Sequence, residues 1–449
     1  MDQITPKPVK QFKVIGTRPL RPDGIEKVTG KAIYGADLSA PNMLYGLMLR
    51  INEPHALIES IDVSIAEKLP GVKSIITFKD FIKINPDNKY NETLENCIAN
   101  EKVLYDGHAV AAVAAVNLNI AKKALKSINV KFKKLPFVIN IEDAMKNEAP
   151  LVAKGKKNEN IPDGFSDNVV QYCSFGHGNL EQGFNESDKV IKRTFKTPSV
   201  HQGYIEPHAC LASMSDDGKA DLWCCTQGHY NVRSICSNIF KIDNSQLKVT
   251  ASEIGGGFGG KTTVFIEPIA LALSQKSGRP VKIVMSREEV FKATGPTVSS
   301  LVDVKIGMKK NGKISAAEAI IRYEGGAFPN ETYELGAQSA FAAYDLKSVK
   351  TEAYNVLTNR PAQAAYRAPG APQAIYAVES VIDELCQYFN HDPLYVRILN
   401  AADKGTKSSY GPTFEDIGLK ATLEAAKVHS HYKTPLKDNQ GRGVACGFW

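Results

Sequence analysis

The sequence lacks the features that would place it quickly in several classes of protein. It has no stretch of about 18 uncharged apolar residues, so no membrane span is predicted. Its first residues, MDQITPKPVKQFKVIG, contain no apolar core followed by a small-residue cleavage site, which predicts a cytoplasmic protein without a signal peptide. The net charge of +7 is small for 449 residues. Because the basic residues are also scattered, nucleic-acid binding is not expected.

Metal-site spacings are missing as well. The eight cysteines include no CxxC pair, and several lie in apolar runs such as LWCCTQ and IDELCQ. This pattern predicts buried, reduced thiols rather than metal ligands. The nine histidines are dispersed. His429 and His431 flank Ser430 near a predicted helix end, which is more typical of a solvated helix end than of a metal site.

Residues 16–151 have the pattern of an α/β module. VKSIITF and NVKFKKL are predicted strands, and HAVAAVAAV is predicted to be a buried strand. Between HAVAAVAAV and NVKFKKL, the stretch IAKKALKSI is a predicted helix, which Asn119 can cap. Residues 152–168, which include KGKKNENIPDGFSDN, are polar and turn-rich, and we predict that they form a linker.

Residues 169–405 predict a larger domain with mixed sheets. KVIKRTFKTPS, ACLASMS and ADLWCCTQ are predicted to be successive strands of one mixed sheet. NVRSICSNIF is a predicted helix, VFIEPIALALSQKSG is a helix that ends at a glycine cap, and RPVKIVMS is the next strand. VDVKIGMKKNGKISAAEAIIRYEG predicts a hairpin around Lys-Asn-Gly, and PQAIYAVESVIDELCQYF predicts an amphipathic helix. The fold class predicted for the whole chain is therefore α+β or mixed α/β.

Residues 406–449 end in an unusual way. After a predicted helix at 417–428, NQGRGVACGFW begins a new apolar run that stops at Trp449, whereas chain ends are usually polar. We interpret this run as a strand that is cut short or is completed by another chain. A terminal strand that pairs with this chain's own sheet is the alternative.

The stretch EIGGGFGGKT, residues 253–262, matches a nucleotide-binding P-loop locally. A predicted strand precedes it and a helix follows; a P-loop would use Lys261 for the terminal phosphates and Thr262 for magnesium. The next apolar strand, RPVKIVMSREE, lacks the aspartate that would orient magnesium. The part of the interpretation that we keep is a glycine-rich loop at a helix N-terminus, whose backbone N–H groups form a nest for an anionic or oxo-rich group. Phe258 is the one large side chain of this loop. A P-loop enzyme is kept as an alternative.

GGGFGGK after a strand resembles the molybdenum-binding subunit of the xanthine dehydrogenase and aldehyde oxidase family, the molybdenum hydroxylases. GTRPLRPDGIEKVTGKAIYGADL, PHALIESIDVSIAEKLPGV and DGHAVAAVAA resemble its α/β-hammerhead domain, which implies that domain for residues 16–151. HQGYIEPHACLA, WCCTQGHYNVR, MSREEVF, EGGAFPN and AAYRAPGAPQAIYAVESVIDELC follow in the order of its first molybdopterin-binding domain, here residues 169–405. NQGRGVACGFW resembles the first strand of its second such domain, so that residues 406–449 would only begin it.

The resemblance implies roles for individual residues. Gln227, in a Thr-Gln pair, would lie beside the apical oxygen of molybdenum and donate its amide N–H. Arg367, in a Tyr-Arg-x-x-Gly segment, would lie by the cofactor. The glycine loop would present its backbone to the cofactor through Gly256, Gly257, Phe258 and Gly259. The structural alternatives are a solvated Gln, a glycine turn packed on a helix, and an Arg paired with a surface carboxylate.

Departures from the family pattern bear on the substrate. Purine-oxidising members carry a Glu directly after GGGFGGK, where this chain has Thr262. They also carry an aromatic residue where this chain has Pro369, so a purine substrate is not expected. Members that oxidise carbon monoxide place a cysteine in the segment that corresponds to residues 367–370. This chain has Ala368 there, so that activity is not expected either.

The family further implies a molybdenum–molybdopterin cofactor, which could be in the cytosine dinucleotide form, and hydroxylation of an aldehyde or N-heteroaromatic carbon of a small molecule with oxygen from water. The chain has neither ferredoxin-like cysteine spacing nor GxGxxG. The 2Fe-2S and FAD groups are therefore expected on partners, an iron–sulfur subunit and an FAD subunit. The family's catalytic glutamate lies further downstream, so a second half of the molybdopterin subunit is expected to supply it. An inactive, truncated subunit is the alternative.

Overall fold

The structure, a computed structural model, describes residues 12–153 and 160–449. The strands are β1 Leu44–Ile51, β2 Ala56–Asp62, β3 Val72–Thr77, β4 Lys102–Val103, β5 His108–Ala115, β6 Asn129–Lys134, β7 Val169–His177, β8 Lys189–Thr197, β9 Ala209–Met214, β10 Ala220–Cys224, β11 Leu247–Ala251, β12 Val281–Val284, β13 Ser300–Met308, β14 Ile314–Gly326 and β15 Val349–Leu357.

The helices are α1 Gly24–Thr29, α2 Ser64–Glu67, α3 Phe78–Ile84, α4 Asn91–Cys97, α5 Leu118–Ser127, α6 Ile141–Ala144, α7 Leu180–Asn185, α8 His229–Ile239, α9 Glu267–Ser277, α10 Arg287–Ala293, α11 Thr332–Ser339, α12 Ala371–Phe389, α13 Pro393–Asn400, α14 Leu419–Val428 and α15 Ser430–Lys433, with 3₁₀ turns at Gly35–Asp37 and Asn244–Gln246. None of these helices is long and apolar enough to cross a membrane.

In the described residues the strands form three sheets. Their orders are β11-β10-β9-β12-β1-β5-β3, β7-β15-β14-β13-β8 and β4-β2-β6. The first sheet joins strands from both predicted domains, because β1 pairs in parallel with β12 through Leu44 and Val281. The predicted boundary at 152–168 therefore lies between segments that share a sheet, and it stays a prediction; residues 154–159 of that linker lie outside the described residues.

Several sequence predictions are confirmed. The strands β3, β5 and β6 and the helix α5 lie where the pattern predicted them, and all eight residues of β5 are buried. Strands β13 and β14 form the predicted antiparallel hairpin, in which Gly312 adopts φ +85°. Helix α9 ends at Gly278, whose φ of +62° is the left-handed cap conformation. Seven of the eight cysteines are buried and Cys173 is half-buried, as expected for structural thiols.

Two local predictions are wrong. KVIKRTFKTPS, ACLASMS and ADLWCCTQ do not lie in one sheet, because β8 belongs to the second sheet while β9 and β10 belong to the first. The non-regular residues 198–208 carry the chain between the two sheets. The cap of α5 is Asn117 and not Asn119: Asn117 is extended (φ −155°), and its side chain accepts a hydrogen bond from the Ile120 N–H at 2.9 Å.

The last residues form no strand within the described part of the chain, so the alternative that NQGRGVACGFW pairs with this chain's own sheet is wrong; a strand completed by another chain stays a prediction. Instead the Cys446 N–H donates to the buried carboxylate of Glu379 at 2.8 Å, and that carboxylate also pairs with the fully buried Arg397 at 2.8 Å. The Phe448 ring lies 5.8 Å from that of Phe414. A buried ion pair and ring contacts therefore hold this segment where a strand was expected.

The position of the α5 cap can be tested with a matched pair of variants. Asn117→Ala should lower the free energy of unfolding by about 1 kcal/mol, because it leaves an N–H of the first helical turn without its acceptor. Asn119→Ala, two residues further on, should change it by less than about 0.5 kcal/mol. Urea denaturation followed by circular dichroism measures both; a larger loss in Asn119→Ala would contradict the assignment.

Candidate functional site

The glycine loop follows β11 directly but does not lead directly into a helix. Residues 253–262 are followed by further turns, and α9 begins only at Glu267. The expected nest at a helix N-terminus is therefore wrong. The loop instead packs against the segment HQGYIEPH, residues 201–208, which connects the two large sheets.

Lys261 is committed to an ion pair inside the protein. Its side chain is fully buried, its Nζ lies 2.7 Å from Glu206 Oε2, and the same Nζ is 4.8 Å from the centre of the Tyr204 ring. The Thr262 hydroxyl donates to Gly259 O at 3.0 Å within the loop itself. Neither group is free to bind phosphate or magnesium, so the P-loop interpretation is wrong.

The Glu206 carboxylate joins both ends of the glycine loop to the N-terminal segment. It accepts from Gly255 N–H at 2.8 Å at the start of the loop and from Lys261 Nζ at its end. Its other oxygen accepts from Gly35 N–H at 3.1 Å. Sequence reasoning assigned Glu206 no role. One signal was available in the sequence. Glu206 and Lys261 are oppositely charged, each has small or apolar neighbours, and they lie in the two family-like stretches HQGYIEPHACLA and GGGFGGK.

Gln227 lies between β10 and α8 and is turned toward the glycine loop. Its Oε1 accepts from the N–H groups of Gly259 at 2.9 Å and Lys261 at 3.3 Å, and its own backbone N–H donates to Lys261 O at 2.8 Å. These donors identify the amide oxygen, so Nε2 is the free end. Among the described residues Nε2 has no hydrogen-bond partner, and the side chain is exposed. A Cβ at Gly257 would lie 2.4 Å from this Oε1, which is why the loop needs glycine there.

Phe258 connects the glycine loop to the second loop, residues 365–370. Its carbonyl accepts from Arg367 N–H at 3.0 Å, and a Cβ at Gly259 would lie 2.6 Å from Ala365 O. Phe258, Arg367 and Ala368 have φ of +55°, +44° and +63°, a region that non-glycine residues seldom occupy. Strained backbone of this kind clusters at functional sites.

The structure thus brings most of the predicted site residues together. Direct hydrogen bonds connect Gln227, Gly259, Thr262, Phe258 and Arg367. Gly256 lies against Tyr204 and the Phe258 ring, where a Cβ would come within 3.0 Å and 3.3 Å. Pro369 is half-buried in the same turn as Arg367, directly before Gly370, which caps α12.

The Arg367 guanidinium is exposed, and in the described part of the chain it has neither an ion pair nor a hydrogen bond. The Gln227 amide nitrogen is a second donor of the site that has no partner among the described residues. In residues 12–153 and 160–449 no group of three or more His, Cys, Asp or Glu side chains could hold a metal ion. The free groups of the site are thus N–H donors, which suit an oxygen- or phosphate-rich ligand.

A buried polar chain lies beneath the glycine loop. The Tyr204 hydroxyl is 2.8 Å from His208 Nε2 and 3.2 Å from Thr294 Oγ1, and His201 Nε2 is 2.9 Å from the same Oγ1. Burial lowers the pKa of His208 to about 3 and that of His201 to about 4. Burial also raises the pKa of Tyr204 to about 12. All three side chains are therefore neutral near pH 7.

Two family models match the chain. The molybdopterin cofactor-binding domain matches residues 161–401, and the hammerhead domain of aldehyde oxidase and xanthine dehydrogenase matches residues 29–136. The mixed α/β fold, with a hammerhead-type domain and a molybdopterin-binding domain, agrees with both.

Similar proteins include a probable xanthine dehydrogenase component of Bacillus subtilis, 33% identical over 85% of this chain and 50% of the relative. The nicotinate dehydrogenase large molybdopterin subunit of Eubacterium barkeri is 28% identical over 93% of this chain and 96% of the relative. The aldehyde oxidoreductase of Desulfovibrio gigas superimposes with a TM-score of 0.81 at 27% identity, over 91% of this chain and 45% of that one. Apart from the Eubacterium barkeri protein, the chain spans about half the length of these proteins.

The buried ion pair can be tested by Lys261→Met, which keeps the length of the side chain and removes its charge. The variant leaves Glu206 as a buried, unpaired carboxylate, so the free energy of unfolding should fall by about 3 kcal/mol or more. Lys276→Met, which removes a half-exposed pair with Asp80, should cost less than about 1 kcal/mol. Denaturation midpoints measure both, and equal losses would contradict the structural role of Lys261. ATP should not shift the wild-type midpoint.

His208, which is buried, and His201, which is half-buried, predict a dependence of stability on pH. Their pKa values are lower in the folded protein than the ordinary 6.5, so below pH 6.5 the unfolded chain binds more protons. Stability should be complete above pH 6.5 and should fall toward pH 4, by about 1.4 kcal/mol per pH unit for the buried His208 and by less for the half-buried His201. His208→Gln should flatten this slope, whereas His429→Gln at an exposed helix end should not. Unfolding curves between pH 7.5 and pH 4.5 measure the slopes; parallel curves for wild type and His208→Gln would contradict the assignment.

Proposed function

The chain belongs to the xanthine dehydrogenase and aldehyde oxidase family of molybdenum hydroxylases, and from this premise we propose that it is the molybdopterin-binding part of an oxidoreductase that hydroxylates an aldehyde or N-heteroaromatic carbon with oxygen from water. One observation carries the proposal. Gln227, Phe258 and Arg367, which are far apart in sequence, meet in one hydrogen-bonded unit whose free groups are donors.

The residues present fit this cofactor. The unpaired Nε2 of Gln227 offers a donor to an oxo group, and the guanidinium of Arg367 offers a fork of donors to a pterin carbonyl or phosphate. The absence of side chains at Gly257 and Gly259 lets the backbone around Phe258 approach a bulky group closely. When bound, the molybdenum cofactor supplies the redox chemistry of the hydroxylation. This chain's residues bind and orient it.

No residue of this chain is proposed as the catalytic base. The carboxylates nearest the glycine loop are already paired, Glu206 with Lys261 and Glu253 with Lys27. We therefore assign the base to a second half of the molybdopterin-binding subunit. The Eubacterium barkeri relative supports this assignment, since it is called a large molybdopterin subunit and has nearly the span of this chain. Electrons are proposed to leave through 2Fe-2S and FAD groups on an iron–sulfur subunit and an FAD subunit.

Two residues support the exclusion of purines. Thr262 replaces the glutamate of the purine-oxidising members, and its hydroxyl is already used by Gly259 O. Pro369 stands where those members carry an aromatic side chain, so it offers no ring to stack on a purine. Substrates are therefore proposed among aldehydes and N-heteroaromatic rings other than purines.

The proposal is tested on the complex of this chain with its second half and its electron-transfer subunits. Metal analysis should find molybdenum, and the mass of the released pterin should distinguish the plain form from the cytosine dinucleotide. Turnover in ¹⁸O-labelled water should label the product of an aldehyde or N-heteroaromatic substrate but yield no product from xanthine. Absence of molybdenum in every pairing would overturn the proposal and favour an inactive, truncated subunit.

The two donors can be removed one at a time in that complex. Gln227→Leu and Arg367→Met should each lower kcat by about tenfold or more, since a hydrogen bond to a charged group contributes at least about 1.5 kcal/mol. Gln387→Leu, an exposed position on α12, should leave kcat unchanged. Molybdenum content is measured in each variant, so that loss of cofactor is separated from loss of rate. Wild-type rates in both site variants at full molybdenum content would contradict the assigned roles.

A further inference from the structure

Helix α1 presents its apolar side chains to solvent. Ile25 and Val28, one turn apart, are 70% and 86% exposed, and no residue of α1 is buried. Leu20 before the helix and Ile33 after it are exposed too. Large apolar side chains occur singly on most protein surfaces, but a run of them over one short segment indicates an interaction site.

The lysine of α1, by contrast, faces the protein, while its one acidic residue, Glu26, is exposed. Lys27 forms ion pairs with Asp23 at 2.9 Å and with Glu253, and it is only 22% exposed. A surface helix normally buries its apolar side and exposes its charges. In α1 this arrangement is reversed: Lys27 faces inward, and the apolar side chains face solvent. No part of the described chain covers these apolar side chains.

This reversed helix adjoins the candidate site. Glu253, its ion-pair partner, is the first residue of the glycine loop stretch, and the Glu253 N–H donates to Ile33 O at 3.1 Å. Two residues after Ile33, Gly35 N–H donates to Glu206. The neighbour of Glu206, Ile205, is 89% exposed, and the Arg287 guanidinium holds its carbonyl in place. We name the set Leu20, Ile25, Val28, Ile33 and Ile205 the α1 face.

We propose that the α1 face is the docking surface for the second half of the molybdopterin-binding subunit, an inference that rests on the proposed function. Relatives such as the Bacillus subtilis and Desulfovibrio gigas proteins are about twice as long as the part that this chain matches, so each carries further chain of similar length that could cover such a face. The glycine loop connects the exposed donor Gln227 to the α1 face, because Lys261 of the loop binds Glu206, and Glu206 accepts from Gly35, two residues after Ile33. A partner that completes the site would approach both.

The chemistry of the face favours a protein partner with an apolar surface. Of its charged neighbours, Arg21 pairs with Asp23, and Lys27 pairs with Asp23 and Glu253. The exposed charges that remain beside it are of both signs, namely Arg18, Glu26 and Lys31. Few charges are left to attract a phosphate backbone or an anionic membrane. Removal of apolar side chains from water is the dominant favourable term in most protein–protein association.

The test uses the double variant Ile25→Asp/Val28→Asp in the full chain. The probe is the tagged polypeptide that carries the second half of the family's large subunit in the same genome, produced separately. The Kd for this probe should rise by about tenfold or more, because two charges would be buried without partners. Ile65→Asp, an exposed apolar position on α2, is the matched control and should leave the Kd unchanged. Thermal unfolding should be unaltered in both, and Ile25→Ala/Val28→Ala should give an intermediate Kd.

Each outcome decides one of the two proposals. If wild type and the double variant bind the probe equally, or if wild type does not bind it, the docking proposal is overturned. If the double variant instead abolishes self-association of this chain in sedimentation while the probe binds normally, the α1 face covers a second copy and the docking proposal is also overturned. Molybdenum and hydroxylation are measured on the wild-type complex: their absence, with docking still dependent on the α1 face, overturns the proposed function alone.

Discussion

The candidate site depends on one buried carboxylate. Glu206 accepts from the backbone at the start of the glycine loop, from Lys261 at its end, and from Gly35 in the N-terminal segment. A buried carboxylate is tolerated only when its charge and its lone pairs are satisfied, and each of these contacts contributes to that. The shape of the loop, the burial of Lys261 and the position of the N-terminal segment are therefore linked.

The orientation of the donors follows from that loop. Because the backbone N–H groups of Gly259 and Lys261 hold the oxygen of Gln227, the amide nitrogen is left free. Because the carbonyl of Phe258 holds the backbone of Arg367, the second loop runs alongside the first. The site is thus built from backbone contacts between three distant segments, which explains why side chains that could ligate a metal directly are not needed to define it.

The same unit also leaves surfaces open. The donors of Gln227 and Arg367 are exposed. The apolar side of α1, which Lys27 joins to Glu253 at the start of the glycine loop stretch, also faces outward. Together with relatives about twice as long as the match, these features are the ones on which the proposed docking of a second half rests. A second body that packed over this region would remove the apolar face from water and would also lie close to the exposed donors.

The sequence by itself determined the family, the fold class and most helices and strands, because periodic apolar patterns and ordered motifs are local properties. It also predicted roles for Gln227, Phe258 and Arg367, through motif resemblance. It could not separate a P-loop from this loop, since both share Gly-x-x-x-x-Gly-Lys-Thr; only the burial of Lys261 against Glu206, 55 positions away, decides that. It could not assign β8 and β9 to different sheets or choose between Asn117 and Asn119 as the cap, because strand pairing and extended cap geometry depend on where the chain turns. The tertiary structure alone decided which charges were buried and which apolar side chains were left exposed, because burial depends on contacts between distant segments.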